Sequence, residues 1–251
     1  MTMNRSEFIS AGFLITRAVP RPSYFSKALI PDRIISASDC IVDFVPDTWC
    51  IEWTQDTQET RKKRAATFEL ETNELEVLTR WVTPQFCENI GWPNVCFNLD
   101  FALQIVRTHL KQLSDVRVLQ LALHQSHIKK FCLAAEPPLP EPDFAPTGRQ
   151  GVYESILKGN PLTADGRILG FEPLVFEYSL SCSWLCNGLE TSVSEELQIK
   201  PNQFGFIQKF EEACKCVEYI SREEVGAEPG LWLPWLIIDH SDKLQLLGGR
   251  R

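Results

Sequence analysis

The residues of this sequence with the strongest intrinsic chemistry are its nine cysteines and four histidines. Cys182 and Cys186 are separated by three residues, and Cys214 and Cys216 by one. Four thiols is the ligand count of a structural zinc site, but neither spacing is that of the usual C-x2-C knuckle. At 3.6 residues per turn, Cys214 and Cys216 also point about 200° apart around a helix, so they cannot face one ion unless that helix is broken. Other cysteines sit inside apolar runs, as in Phe131-Cys132-Leu133 and Val95-Cys96-Phe97. There a free thiol behaves as a small hydrophobe. The expectation is packed thiols, with no metal and no cofactor.

A cysteine nucleophile needs an imidazole beside it. The candidates are His109, His124, His127 and His240. Cys182 or Cys186, close to a helix start, would have a depressed pKa. His240, closing the last predicted strand, would supply the base. Cys182, Cys186 and His240 therefore define one reading, a cysteine-dependent or metal-assisted hydrolase. His124 and His127 read as surface residues of a strand-end loop. Glu172 and Glu177 flank an apolar run where burial would raise a carboxyl pKa. Five residues apart on a strand they point to opposite faces, so a buried glutamate paired with an arginine is expected rather than a catalytic dyad. The sequence has no phosphate-binding loop, no dinucleotide fingerprint, no G-x-S-x-G elbow and no H-E-x-x-H motif.

The elements that must position these groups centre on residues 166–190. That stretch reads as a core strand running into a small-residue turn, Ser-Leu-Ser-Cys-Ser, and then a helix. Residues 33–53 read as a β-hairpin or meander, with Trp49, Ile51 and Trp53 alternating in the period of a half-buried strand. Asn73 and Glu76 predict a capping box and a helix to about Trp81. Asn98 predicts the cap of a second helix with Leu99, Ala102, Val106, Leu110 and Leu113 on one stripe. Val116–Leu123 predicts a strand. Tyr153–Lys158 predicts a short helix, and Phe206, Phe210, Ala213, Val217 and Ile220 mark a longer amphipathic one. Leu231–Asp239 is the last strand, with Pro234 expected at an edge or bulge because it lacks a donor. The basic run Arg61–Arg64 reads as a solvated face, since no aromatic residues interleave it.

Helices and strands mixed in this order predict an α+β fold, a sheet with packed helices. Residues 136–146 hold five of the sixteen prolines, a composition that favours extended polyproline II over helix or central strand. The formal charge of −8 divides at the same place. Residues 1–133 carry equal numbers of basic and acidic side chains, and the whole imbalance lies beyond them. The expected organisation is a neutral lobe over 1–133, a proline-rich linker or arm over 134–147 and an acidic lobe over 148–251. No apolar run reaches the roughly 18–20 residues that span a bilayer. The odd, scattered cysteine count favours a reducing, cytoplasmic setting.

An acidic field repels nucleic acid and anionic lipid and attracts basic partners. Seven tryptophans are present, with Trp184, Trp232 and Trp235 in the acidic half. Tryptophan is enriched at interface hot spots. The leading expectation is a non-catalytic protein-binding module contacting its partner through Trp184, Glu190, Glu211, Glu212, Glu218 and Glu223. In these traits, acidic and Trp-rich without a catalytic signature, the chain resembles the immunity proteins that bacteria pair with basic nuclease toxins. That resemblance implies a basic protein partner, with no nucleic acid and no membrane.

Overall fold

The computed structural model describes residues 4–45, 57–86, 88–92, 94–135, 150–176 and 181–245. The fold is α+β. Its centre is a curled antiparallel sheet of seven strands: β1 (Phe8–Arg17), β4 (Ile90–Gly91), β5 (Val95–Cys96), β6 (Val116–His124), β7 (Arg167–Phe176), β8 (Ser181–Ser183) and β9 (Leu233–Asp239). Across the sheet they run β4-β5-β1-β6-β9-β7-β8, while β2 (Val19–Pro20) and β3 (Arg33–Ile34) make a separate two-stranded ribbon.

The alternation of side chains along the inner strands builds two apolar faces. On β6, Leu119, Leu121 and Leu123 face one way, with Leu14, Trp235 and Ile237 from the flanking strands. Two helices, α4 (Gln125–Ala135) and α5 (Gln150–Lys158), cover that face through Phe131, Ala135, Val152 and Ile156. The opposite face is covered in two patches. Helices α1 (Gln58–Thr67), α2 (Thr72–Val82) and α3 (Leu99–His109) pack over Phe13, Ile15 and Val118. Helices α6 (Glu190–Leu197) and α7 (Phe210–Ile220) pack over Phe171, Val175, Leu236 and Ile238. Each fully buried leucine, isoleucine or phenylalanine in these layers stabilises the fold by about 1.5–3 kcal/mol relative to exposure.

Residues from both charge halves are joined in this one sheet. Leu119–Ala122 of β6 pair with Leu236–Asp239 of β9. Strands from the neutral and the acidic half thus share one continuous sheet, each satisfying backbone groups of the other. The proline-rich stretch, the Trp49–Trp53 strand, Glu177 and the C-terminal Gly-Gly-Arg-Arg lie outside the described residues.

Three local expectations are corrected. The strand at Arg33–Ile34 pairs with Val19–Pro20 rather than with the segment that follows it. Residues 38–42 instead form a turn, with the amides of Ile41 and Val42 donating to the Ser38 carbonyl. The cap of helix α2 lies two residues before Asn73. Its capping box is Glu71 with Glu74, the glutamates doing what Asn73 and Glu76 were expected to do. Pro234 is in an interior strand, opposite Pro173. The Pro173 carbonyl accepts from the Trp184 amide on the far side, so neither proline faces the other with a hydrogen-bonding group. The ladder of β9 with β6 ends at Leu236, and the missing donor of Pro234 falls beyond it. Asn98 caps α3 as expected, accepting from the Phe101 amide at 2.7 Å.

One glycine is dictated by close approach. Gly12 has φ +103 in the bulge of β1, and a Cβ there would overlap a Val95 methyl.

Candidate functional site

Helix α7 turns Ala213, Cys216 and Ile220 into the core and leaves Glu211 and Glu218 exposed. The short 3-10 turn after it, Glu223–Val225, adds exposed Glu223 and Glu224. Helix α6 packs beside α7 and contributes exposed Glu195 and Glu196. Glu212 is half-buried and paired with Lys209 at 2.5 Å. The other six carboxylates have no ion pair among the described residues. Their field is felt locally: burial pushes the Cys214 thiol up to about 11, and Glu218 and Glu211 push it in the same direction.

Two residues assigned to this surface from sequence lie elsewhere. Trp184 is fully buried, packed with Leu185, Leu189 and Trp232 in the core under α6 and α7. Glu190 is 2% exposed and accepts from the Ser26 amide at 2.8 Å, pinning the 22–30 loop. Both are corrected to structural residues; Trp232 and Trp235 are buried as well. Of the six expected contact residues, Glu211, Glu212, Glu218 and Glu223 remain together at the surface.

The second arrangement is a thiol cluster seated by hydrogen bonds. Residues 36–40, Ser-Ala-Ser-Asp-Cys, lie against the β7–β8 hairpin. Glu172, fully buried on β7, accepts from the Ser36 hydroxyl at 2.6 Å and the Ala37 amide at 2.8 Å. This corrects the expected arginine partner: a hydroxyl and an amide satisfy the carboxyl, and burial raises its pKa against their opposing pull. The Ser38 hydroxyl donates to the Ser181 carbonyl, and the Ser181 hydroxyl donates to the Ala37 carbonyl at 3.1 Å. Asp39 accepts from the Ser181 amide at 2.5 Å, and burial pushes its carboxyl up to about 7 despite that bond.

This seat carries Cys40 to Cys182, with the two sulfurs 3.4 Å apart. Cys186 completes the group, and all three sulfurs lie within 4.8 Å of one another. Cys40 is exposed, Cys186 half-buried and Cys182 buried. The Ser183 amide donates to the Cys186 sulfur at 3.1 Å, and the Asn187 side-chain amide approaches it at 3.8 Å. Hydrogen bonding from Cys182 and then Cys186 holds the Cys40 thiol down at about 3. The same thiol contacts, with burial, push Cys182 up.

His240 does not join this cluster. Ile168 of β7 is opposite Ile238, while Val175 is opposite Cys182. Seven residues of strand at about 3.3 Å each separate those positions by roughly 23 Å, so the Cys182–Cys186–His240 constellation is not assembled. His240 is instead 1% exposed, its Nε2 facing the Gln120 side-chain oxygen at 3.0 Å. Gln120 in turn donates to Ser10 at 3.0 Å. Burial, aided by Lys243, lowers the imidazole to about 4, so it is neutral at pH 7. The four-thiol grouping is not assembled either. Cys216 is in the core, and Cys214 turns toward His127, 3.9 Å from its Nε2.

No protein-family model, curated protein or solved structure matches this chain.

Sequence reasoning missed Cys40, Asp39 and the serines that seat them. Cys40 is 142 residues from Cys182, and no spacing rule links positions so far apart. The available signal was chemical: three serine and aspartate side chains in the five residues ending at Cys40 favour a turn that bonds its own backbone over a strand.

Proposed function

We propose that this chain is a non-catalytic protein-binding module that recognises a basic protein through the exposed face of α6, α7 and the following 3-10 turn. In this reading it adapts or neutralises its partner, in the manner of the immunity proteins it resembles in character. The observation that supports it is the run of carboxylates at Glu195, Glu196, Glu211, Glu218, Glu223 and Glu224, without ion pairs among the described residues, on elements anchored by an apolar underside. Carboxylates already solvated and free of internal ion pairs attract a cationic surface without first breaking a bond within the chain. Such charge sets encounter rate and partner selection more than the final affinity. No helix among the described residues is long and apolar enough to cross a membrane.

Paired affinity captures test this reading. The wild-type chain and a Glu211→Lys/Glu218→Lys variant are used in parallel at low and moderate salt, with recovered proteins identified by mass spectrometry. A stoichiometric basic protein, lost from the variant and reduced as salt rises, is the expected result. Equal recovery by both chains would remove this face from the binding surface.

A further inference from the structure

We propose that Cys40, Cys182 and Cys186 form a binding site for one thiophilic closed-shell cation, Zn2+ or Cu+. Three soft sulfur donors, with no imidazole or second ligand type in the group, match the ligand preference of these ions. The distances suit them. A metal–sulfur bond of about 2.3 Å places tetrahedral ligand sulfurs about 3.8 Å apart. The present sulfurs are all within 4.8 Å of one another, with those of Cys40 and Cys182 3.4 Å apart. Movements below about 1 Å, within the reach of small χ1 adjustments, close the coordination sphere.

The cluster is also built by its surroundings. Cys182 and Cys186 belong to the β8 strand and the turn after it, whereas Cys40 is delivered by a loop held by buried hydrogen bonds. Glu172 holds Ser36 and Ala37. Ser181 and Asp39 bond each other reciprocally, since the Asp39 amide donates to the Ser181 hydroxyl at 3.2 Å while the Asp39 carboxyl accepts in return. The Ser183 amide already donates to the Cys186 sulfur, the kind of outer bond that orients a thiolate ligand. Binding forms three metal–sulfur bonds, and the sulfurs that still carry a proton, Cys182 and Cys186, release it to solvent as their S–H bonds break. The ion keeps its oxidation state. The exposure of Cys40 leaves a fourth position open to water or to a partner's donor.

Full-length reduced protein is titrated anaerobically with Zn2+ against a chromophoric chelator and, separately, with Cu+ against a Cu+-selective chelator. Co2+ reports the ligands through its sulfur-to-metal charge-transfer band. One equivalent of either ion with three protected thiols is expected. Cys40→Ser, at an exposed position, should weaken binding by more than about 100-fold, Asn187→Ala by about tenfold, and Cys214→Ser not at all. Binding of neither ion, or equal binding by wild type and Cys40→Ser, overturns the proposal. So does formation of a Cys40–Cys182 disulfide that leaves added metal unbound. Circular dichroism of Cys40→Ser confirms that any loss is local.

Discussion

Truncating Glu172 to alanine should loosen the seat of residues 36–40 and destabilise the whole fold. The carboxyl is fully buried and accepts from the Ser36 hydroxyl at 2.6 Å and the Ala37 amide at 2.8 Å. Removing it leaves the Ala37 amide, which cannot rotate, without a partner at a cost of about 1–3 kcal/mol. The Ser36 hydroxyl can turn to another acceptor, so it adds less, and the vacated volume adds about 1–2 kcal/mol more. The expected loss is about 2–5 kcal/mol. Glu172→Gln is the informative partner variant. Its oxygen can accept from Ala37 and its amide can reach the Ser36 oxygen, so the loss should stay below about 1 kcal/mol. Burial also raises the folded-state pKa of Glu172 above its unfolded value. Its contribution is therefore complete below about pH 4.5 and declines as pH rises through the raised folded value. Glutamine lacks this decline. Urea unfolding followed by tryptophan fluorescence at pH 4.5 and pH 7.5 measures both effects, with Trp184, Trp232 and Trp235 buried as reporters. A Glu172→Ala loss under about 1 kcal/mol, or a Glu172→Gln loss equal to it, would refute the assignment of this carboxyl as the anchor of the loop.

The remaining expectations are simpler. His240, lowered to about 4 by burial and then by Lys243, should cost stability as pH falls from about 6.5 to 4. In that window the unfolded chain takes up the proton more readily, by up to about 3 kcal/mol in total. His240→Gln should abolish this slope in urea titrations at pH 7.5 and 5. Gly12→Ala combines a strained positive φ with an overlap against Val95 and should lower stability by roughly 2–4 kcal/mol, visible as a lower thermal midpoint. Trp184→Phe should reduce stability by roughly 1–3 kcal/mol while leaving partner capture unchanged, because the indole is in the core.

The elements built on a sustained period were readable in the sequence. Helix α3, the Val116–His124 strand, α7 and the last strand all follow an apolar stripe or run that burial against the sheet then enforces. What escaped was set by distant hydrogen bonds. Residues 40–45 have the composition of a strand, yet Glu172 and Ser181 hold the segment before them in a turn. Pro234 breaks the edge rule because the ladder ends before its nitrogen, a fact of register that composition does not encode. Trp184 and Glu190 illustrate the same limit at the candidate surface: a tryptophan or a glutamate in an acidic half reads alike whether it faces solvent or the core. Glu211 and Glu218 were readable because the helix period of α7 separates its two faces.

The most direct test of the binding reading is the association rate of the captured partner with wild type and with Glu211→Lys/Glu218→Lys, measured by stopped flow at two ionic strengths. The charge reversal should slow association about tenfold at low salt and flatten its dependence on ionic strength, with little change in the dissociation rate. Identical association rates and salt slopes for the two proteins would contradict a binding surface on this face.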